Sequence, residues 1–353
     1  MTLFWYMLRQ LFVATLFAVV ALGFVVFPAV AVSAVHKLGG VSLGAVLRYV
    51  PMVGVELLPY LLSLGFLLAV VSTFGRLAGD KEWIAIQMAG VHPARLLVPG
   101  MLLAVLLGGA TTFVASVLSP AWKLEQGNFR NNTLIEAFRQ LAPGRTELDF
   151  GPFYIGSRAR DGSSFVDVQI RVAPEGKDPV VLVAKRATLQ FVGDELFIEL
   201  DEPYYVGEDH RMRVMEVQRI LKLSEIFERR DADITRAKYR TSGTLLEDLA
   251  AGELDVDKRR RYRFELHRRL ALGATFLMFL LVGVPTGLWL RSGGQLSGLG
   301  AASLYAFGYY VLSLQLGKGL AYSGQLPAEL AAWLAVGLGT FLGAVLTWRW
   351  TLR

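Results

Sequence analysis

The chain has 353 residues, of which 54% are hydrophobic and 19% charged, with mean hydropathy +0.44 and a net charge of +6. Soluble chains carry charge on nearer a quarter of their residues, so this composition excludes an ordinary soluble globular protein. The sequence has no cysteine, which excludes disulfides, thiolate metal sites and cysteine nucleophiles and leaves the compartment open.

The first apolar run, Leu11–Val35, is broken only by Pro28 and ends at His36-Lys37. Its length is that of a membrane span, and no short core with a small-residue cleavage site marks it as a signal peptide. Five further runs follow: about Val50–Gly75, Leu96–Trp122, Leu270–Leu290, about Ser297–Gly317 and Leu330–Trp348. Each supplies the roughly 20 apolar residues that cross about 30 Å of hydrocarbon. Trp5, Trp122, Trp289, Trp348 and Trp350 stand at or near span ends, where interfacial anchors belong. The predicted fold is therefore an α-helical membrane protein with six transmembrane helices, three before and three after an inserted β-domain.

Between the two span blocks, the sequence predicts strands at Glu147–Arg158, Ser164–Val172, Val180–Val192, Glu195–Asp201 and Arg211–Leu223. They are rich in Val, Ile, Phe and Tyr and separated by turn clusters such as Asp161-Gly162 and Pro174-Glu175-Gly176. Leu196, Ile198 and Leu200 alternate with Glu195, Glu199 and Asp201, the pattern of a half-buried strand. Five or more such strands point to an antiparallel sandwich or jelly roll. From about Thr241 to Arg269 the pattern turns helical and leads into span four. The implied domains are 1–122, 123–264 and 265–353.

Charge is unevenly placed. From Lys123 to Arg269 the chain holds 26 basic and 26 acidic residues, so the excess lies on the membrane portion, where Glu56, Asp80, Glu82 and Glu329 are the only acids. A basic excess beside a bilayer suits anionic head groups, whereas a nucleic-acid partner needs a basic stripe on a soluble face. In the short loops, Arg9, Arg76, Lys81, Arg95, Arg291, Arg349 and Arg353 share the side of the N-terminus, and Lys37, Arg48 and Lys318 lie opposite. That bias places both termini in the cytoplasm and the insert outside. The run Lys258–Arg263 with Arg268-Arg269 opposes it, but long domains translocate largely regardless of charge.

The loop Arg76–Arg95 carries the sharpest local pattern. Asp80 is suited to cap a helix, Glu82 to its first turn, and Gly90 to its end, with Pro93 preventing continuation. Ile84, Met88 and Val91 fall on one apolar stripe. The result is a short amphipathic helix near 80–91, which either lies in the lipid interface or docks into a soluble partner. One Glu and one stripe do not decide between these.

Here the sequence resembles a known family. The stretch Tyr49-Val50-Pro51, Leu57-Leu58-Pro59, Phe74-Gly75-Arg76-Leu77, Lys81-Glu82 and Ala85-Ile86-Gln87-Met88-Ala89-Gly90-Val91 is similar to the lipopolysaccharide-export permeases of the LptF/LptG type. So are Glu265-Leu266-His267-Arg268-Arg269-Leu270-Ala271-Leu272, Gly283-Val284-Pro285-Thr286-Gly287, and Pro327 with Trp333. The resemblance covers essentially the whole chain, and Lys81 stands where a small polar residue is more common. Features of both sister permeases are mixed, so neither F nor G is assigned.

The resemblance implies a permease paired with a sister six-span permease in the bacterial inner membrane and driven by a cytoplasmic ABC ATPase dimer. Such a unit extracts lipopolysaccharide and passes it, through its own periplasmic jelly roll, to a periplasmic jelly-roll bridge protein. It also implies that the acid of the second-loop helix, here Glu82, pairs with a basic residue of the ATPase, with Asp80, Ile84, Met88 and Gly90 completing the coupling element. ATP is used by the partner, and the chain itself needs no cofactor. The alternative is a non-transporting scaffold or sensor whose β-domain binds an envelope protein.

His36, Lys37 and Lys318 stand at the outer ends of spans one and five, where ammonium or imidazolium groups can meet lipid phosphates. Snorkelling of cations to the interface is the simpler account of the same positions. Glu56 is expected at the interface or facing a cation such as Arg48. Gly75/Gly79, Gly283/Gly287 and Gly339/Gly343 allow close helix approach. The chain lacks a phosphate loop ending in Lys-Ser/Thr, a paired-histidine zinc helix and a nucleophile elbow, so it is not read as an enzyme.

Overall fold

The computed structural model describes residues 2–37, 43–139, 147–149, 153–161, 164–172, 180–192, 195–206, 211–213, 217–222, 236–290 and 294–349. Contacts divide the chain into two compact units. One comprises Met1–Val30, Pro51–Leu124 and Ala237–Arg353, and the other Ala31–Val50 and Glu125–Arg236.

Helices α1 (Thr2–Lys37) and α2 (Leu43–Gly79) run through Pro28, Pro51 and Pro59 without ending. Then come the short α3 (Glu82–Met88) and α4 (Pro93–Phe113). A π-helical segment, Val114–Leu118, joins α4 to α5 (Ser119–Arg139). The third expected span thus belongs to a longer helical run than hydropathy indicates. Lys123, Glu125 and Arg130 make its second half polar, so no apolar run reports it.

After the β-region, α6 (Ser242–Ala251) begins at Thr241, whose hydroxyl accepts from the Thr244 amide, and stops at Gly252 with φ +76°. Next, α7 (Val256–Trp289) is the most enclosed of the long helices. The expected fifth span is α8 (Gly294–Tyr310), a π-helical segment Val311–Gly317 and α9 (Lys318–Tyr322), followed by α10 (Ala328–Thr347). Among the described residues, five helices are long and apolar enough to cross a membrane: those at Thr2–Val35, Leu43–Gly79, Pro93–Phe129, Val256–Trp289 and Ala328–Thr347. The fifth expected span, divided into three pieces, is not among them.

The helical core joins Met7 and Leu11 of α1, Phe66, Val70 and Phe74 of α2, Leu96 and Leu103 of α4, and Phe276 and Phe279 of α7. Phe66 meets Phe276 with ring centroids 5.4 Å apart. Apolar burial does not drive association inside lipid, so close backbone approach has to. Gly283 and Gly287 of α7 face Val70 and Val71, and Gly339 and Gly343 of α10 face Met278 and Leu281. A Cβ on Gly108 would stand 2.5 Å from the Gly273 carbonyl oxygen, a close approach that the paired-glycine spacing does not reveal. Pro285 leaves the Leu281 carbonyl without its intrahelical amide, and Thr347 Oγ1 of α10 donates to that oxygen at 2.7 Å.

In the other unit, eight strands form one antiparallel sheet: β1 (Glu147–Asp149), β2 (Phe153–Asp161), β3 (Ser164–Val172), β4 (Val180–Val192), β5 (Glu195–Asp201), β6 (Tyr204–Val206), β7 (Arg211–Arg213) and β8 (Val217–Lys222). The order is β1-β2-β3-β4-β5-β8, with β6 and then β7 branching from β4. Strand β4 serves both arms, because Arg186–Val192 pair with β5 and Val181–Val183 with β6. Phe165, Val168 and Ile170 face inward with Ala184 and Ala187 opposite, and Asp167 breaks the alternation at φ +51°. Three of the predicted strands have their predicted bounds, while Tyr204–Val206 escapes sequence reading because three residues carry too little periodicity.

Candidate functional site

Helix α3 sits in a tight loop. The Asp80 amide bonds the Arg76 carbonyl at 2.8 Å, and Lys81 turns the chain with φ +61°. Asp80 is therefore not the cap. The cap position is Lys81, with no side-chain cap bond, because the left-handed residue starts the helix one position later than sequence placed it. At the far end, Gly90 has φ +79°, its amide bonds the Gln87 carbonyl, and the Val91 amide bonds the Ile86 carbonyl. These two bonds close the helix as a glycine-terminated Schellman turn. His92 then caps α4 by accepting the Ala94 amide on Nδ1 at 3.2 Å, with Pro93 in the first helical turn.

The helix packs on the core through Trp83 and Ile86, which lie off the stripe of Ile84 and Met88. Trp83 is buried, edge-on to Phe74 with centroids 6.1 Å apart, and Ile86 packs on the same core. Ile84 and Met88, by contrast, are 44% and 84% exposed. Residues 83–88 carry two apolar stripes, and which one faces inward depends on where Phe74 stands. Glu82 is half-buried, and its Oε2 accepts from the Tyr6 hydroxyl of α1 at 3.1 Å. The outward face thus presents Ile84 and Met88 beside a carboxylate held by one phenol.

A second constellation surrounds the start of α7. Glu265 accepts from Arg268 Nε at 2.9 Å, Arg268 Nη2 at 2.7 Å and Arg269 Nε at 3.1 Å. Arg268 Nη1 donates to the Tyr60 hydroxyl of α2 at 2.9 Å. Arg269 is 1% exposed, and its remaining donors reach Ser242 Oγ at 3.1 Å and the carbonyls of Ala237 and Arg240 at 3.0 and 2.8 Å. One guanidinium thereby ties the segment 237–242 to α7. Arg240 in turn pairs with Asp248. The family-like string Glu265-Leu266-His267-Arg268-Arg269 is a structural clamp rather than a run of solvated cations.

Glu56 pairs with Lys123 at 3.1 Å, not with Arg48. A helical run continuing past Trp122 brings Lys123 alongside α2. Lys318 is exposed, with its ammonium 5.5 Å from the Tyr322 ring centroid, and the Arg261 guanidinium stands 5.2 Å from the same ring. Both distances are within cation–π range. Sequence reading set Arg261 apart from Lys318, because the two are 57 residues apart on α7 and α9 and meet at the Tyr322 ring. His36 and Lys37 close α1, and their side chains lie outside the described residues.

Among the described residues no group of three or more His, Asp or Glu side chains converges as a metal cluster would. What these surfaces can do is bind: a carboxylate with apolar neighbours on α3, and cations over Tyr322. The family model for the lipopolysaccharide export system permease LptF/LptG matches residues 5–349, nearly the whole chain. No curated protein matches the chain.

Proposed function

The chain belongs to the lipopolysaccharide export permease family LptF/LptG, and from that premise we propose that it is one permease subunit of an ATP-driven exporter of lipopolysaccharide. It is a multi-pass membrane protein, and a transport permease is not itself an enzyme. The subunit crosses the bacterial inner membrane six times, as 3+3 spans, and carries its β-region as a periplasmic jelly roll within domains 1–122, 123–264 and 265–353. A sister permease completes the transmembrane unit, a cytoplasmic ABC ATPase dimer drives it, and a periplasmic jelly-roll bridge receives the lipid. The basic bias of the loops on the N-terminal side supports this orientation.

The observation that carries the reading is the outward face of α3. Ile84 and Met88 are exposed beside Glu82 while Trp83 anchors the opposite face. Such a helix transmits a push because its inner face is packed and its outer face is free to dock. Asp80 and Gly90 delimit the element, and Glu82 meets a basic residue of the ATPase. ATP binding there moves α3, α2 follows through the Trp83–Phe74 contact, and the cavity between paired permeases narrows and expels lipid. His36, Lys37 and Lys318 meet the lipid phosphates, and Arg261 beside Lys318 adds a further cation to that set.

The test is Glu82→Arg in the assembled complex. Lipid release is expected to fall at least about tenfold for a lost charge-assisted contact, while the complex's ATP hydrolysis persists. Release at the normal rate overturns the coupling role. Lys37→Asp with Lys318→Asp is expected to reduce lipid photocrosslinking, and unchanged crosslinking removes the phosphate contacts.

A further inference from the structure

A groove of about 990 Å³ runs between α1 and α2 and is bounded at its floor by Gly287, Leu290 and Gly298. Its two ends differ in chemistry. Tyr6, Arg9, Gln10, Arg76 and Asp80 line one end, and from there the α1 wall continues through Val13, Phe17, Ala18 and Ala21 against Leu68 and Val71 of α2. From Arg9 to Ala21 the helix rises roughly 18 Å, about the depth of one leaflet of a bilayer with a core near 30 Å. The groove is therefore graded from polar to apolar over the length of a lipid chain, and α1 is the least enclosed of the five candidate spans.

Charge and hydrogen bonding narrow the occupant. Two guanidinium groups, of Arg9 and Arg76, and one carboxylate, of Asp80, line this end, with the Glu82 carboxylate set behind the Tyr6 hydroxyl that donates to it. No ion pair is formed by either arginine among the described residues. Gln10 Oε1 is buried with no hydrogen-bond partner among the described residues, so it is an acceptor in want of a donor. Ser72, by contrast, spends its hydroxyl on the Ala69 carbonyl. A phosphodiester with a hydroxyl-bearing headgroup answers both requirements, and basic pockets between spans are a recurrent setting for anionic lipids.

We propose that this groove is a binding site for an anionic glycerophospholipid, phosphatidylglycerol. Its phosphate lies between Arg9 and Arg76, a glycerol hydroxyl donates to Gln10 Oε1, and an acyl chain lies along Phe17, Ala18 and Leu68. The site stands at the end of α1 opposite Lys37 and is independent of the export reading, since it requires only that the chain reside in a bilayer.

The experiment is native mass spectrometry of the full chain in neutral detergent, stripped of lipid and titrated with phosphatidylglycerol, phosphatidic acid or phosphatidylcholine. Phosphatidylglycerol is expected to bind about thirty-fold more tightly than phosphatidylcholine, the combined effect of two basic side chains at an anionic headgroup. Arg9→Gln with Arg76→Gln abolishes that preference, and Arg9→Lys with Arg76→Lys retains most of it. Gln10→Leu weakens phosphatidylglycerol but leaves phosphatidic acid, which lacks the headgroup hydroxyl, unchanged. Ala18→Trp fills the groove without altering charge and lowers phosphatidylglycerol binding, which keeps the test decisive if the double arginine variant does not fold. Equal binding of phosphatidylglycerol and phosphatidylcholine by the wild-type chain overturns the proposal. So does undiminished phosphatidylglycerol binding by the Ala18→Trp variant, as expected if the lipid binds outside this groove.

Discussion

The Tyr6 hydroxyl donates to Glu82 Oε2 at 3.1 Å, joining the first turns of α1 to the loop helix 76 residues later. The acid proposed for ATPase coupling is therefore already in contact with a span. On that proposal, a partner's cation that draws Glu82 outward would have to loosen or share this bond, and α1 would sense docking directly. Tyr6→Phe removes the bond and leaves the ring. The expected outcome is near-normal assembly with the ATPase and a lipid-release rate lowered by a factor of about two to ten, matching roughly 0.5–1.5 kcal/mol for one such bond. Release assays paired with pull-down of the ATPase check it, and unchanged release shows that the bond does not participate.

Trp83 is the anchor of α3. Trp83→Ala removes a ring buried against Phe74, a change that costs about 3–5 kcal/mol in a packed core. The helix should then open locally while the spans remain folded. Hydrogen exchange of the amides at 84–91 is the readout. Ile84→Ala, on the exposed stripe, should leave that exchange unaltered and weaken only ATPase binding.

The clamp at α7 predicts unequal costs for its members. Glu265→Gln leaves the guanidiniums of Arg268 and Arg269 buried without their counter-charge, and breaking such a pair costs about 3–5 kcal/mol. Arg269→Lys also fails, because one ammonium cannot reach Glu265, Ser242 and the carbonyls of Ala237 and Arg240 together. Unfolding midpoints in a denaturing-detergent titration measure both. Wild-type midpoints for both variants would show that the clamp is not structural.

Two adjacent glycines on α4 give an internally controlled comparison. Gly108→Ala forces a methyl to within 2.5 Å of the Gly273 carbonyl oxygen, whereas Gly109→Ala meets nothing within 4 Å. The first should destabilise the helix pair by about 1–3 kcal/mol, and the second should have no measurable effect. The same titration separates them.

Thr347→Val tests the bond that answers Pro285. The substitution keeps the side chain's shape but deprives the Leu281 carbonyl of its donor. Interhelical bonds of this kind are worth about 0.6 kcal/mol on average and up to about 1.7. A loss in that range is expected, and it should vanish in a Pro285→Ala background, where the helix supplies its own amide. A double-mutant cycle shows whether it does.

Span-length apolar runs and strands with alternating burial were legible in the sequence because both patterns are local. Richness in Val, Ile and Phe between turn clusters set Ser164–Val172 and Val180–Val192 to the residue, and some twenty uncharged residues in a row need no tertiary context to be recognised. The short helix that carries Glu82, Ile84 and Met88 and ends at Gly90 was legible for the same reason, since helical spacing and a terminating glycine are properties of a short window. Which stripe of α3 turns inward was not legible. Neither was the pairing of Glu56 with Lys123, nor the burial of Arg269 among acceptors drawn from 237–242. Each depends on a partner distant along the chain. Charge in a window says that a side chain must find water or a counter-group, and only the packing of α2, α5 and α7 decides which of the two it finds.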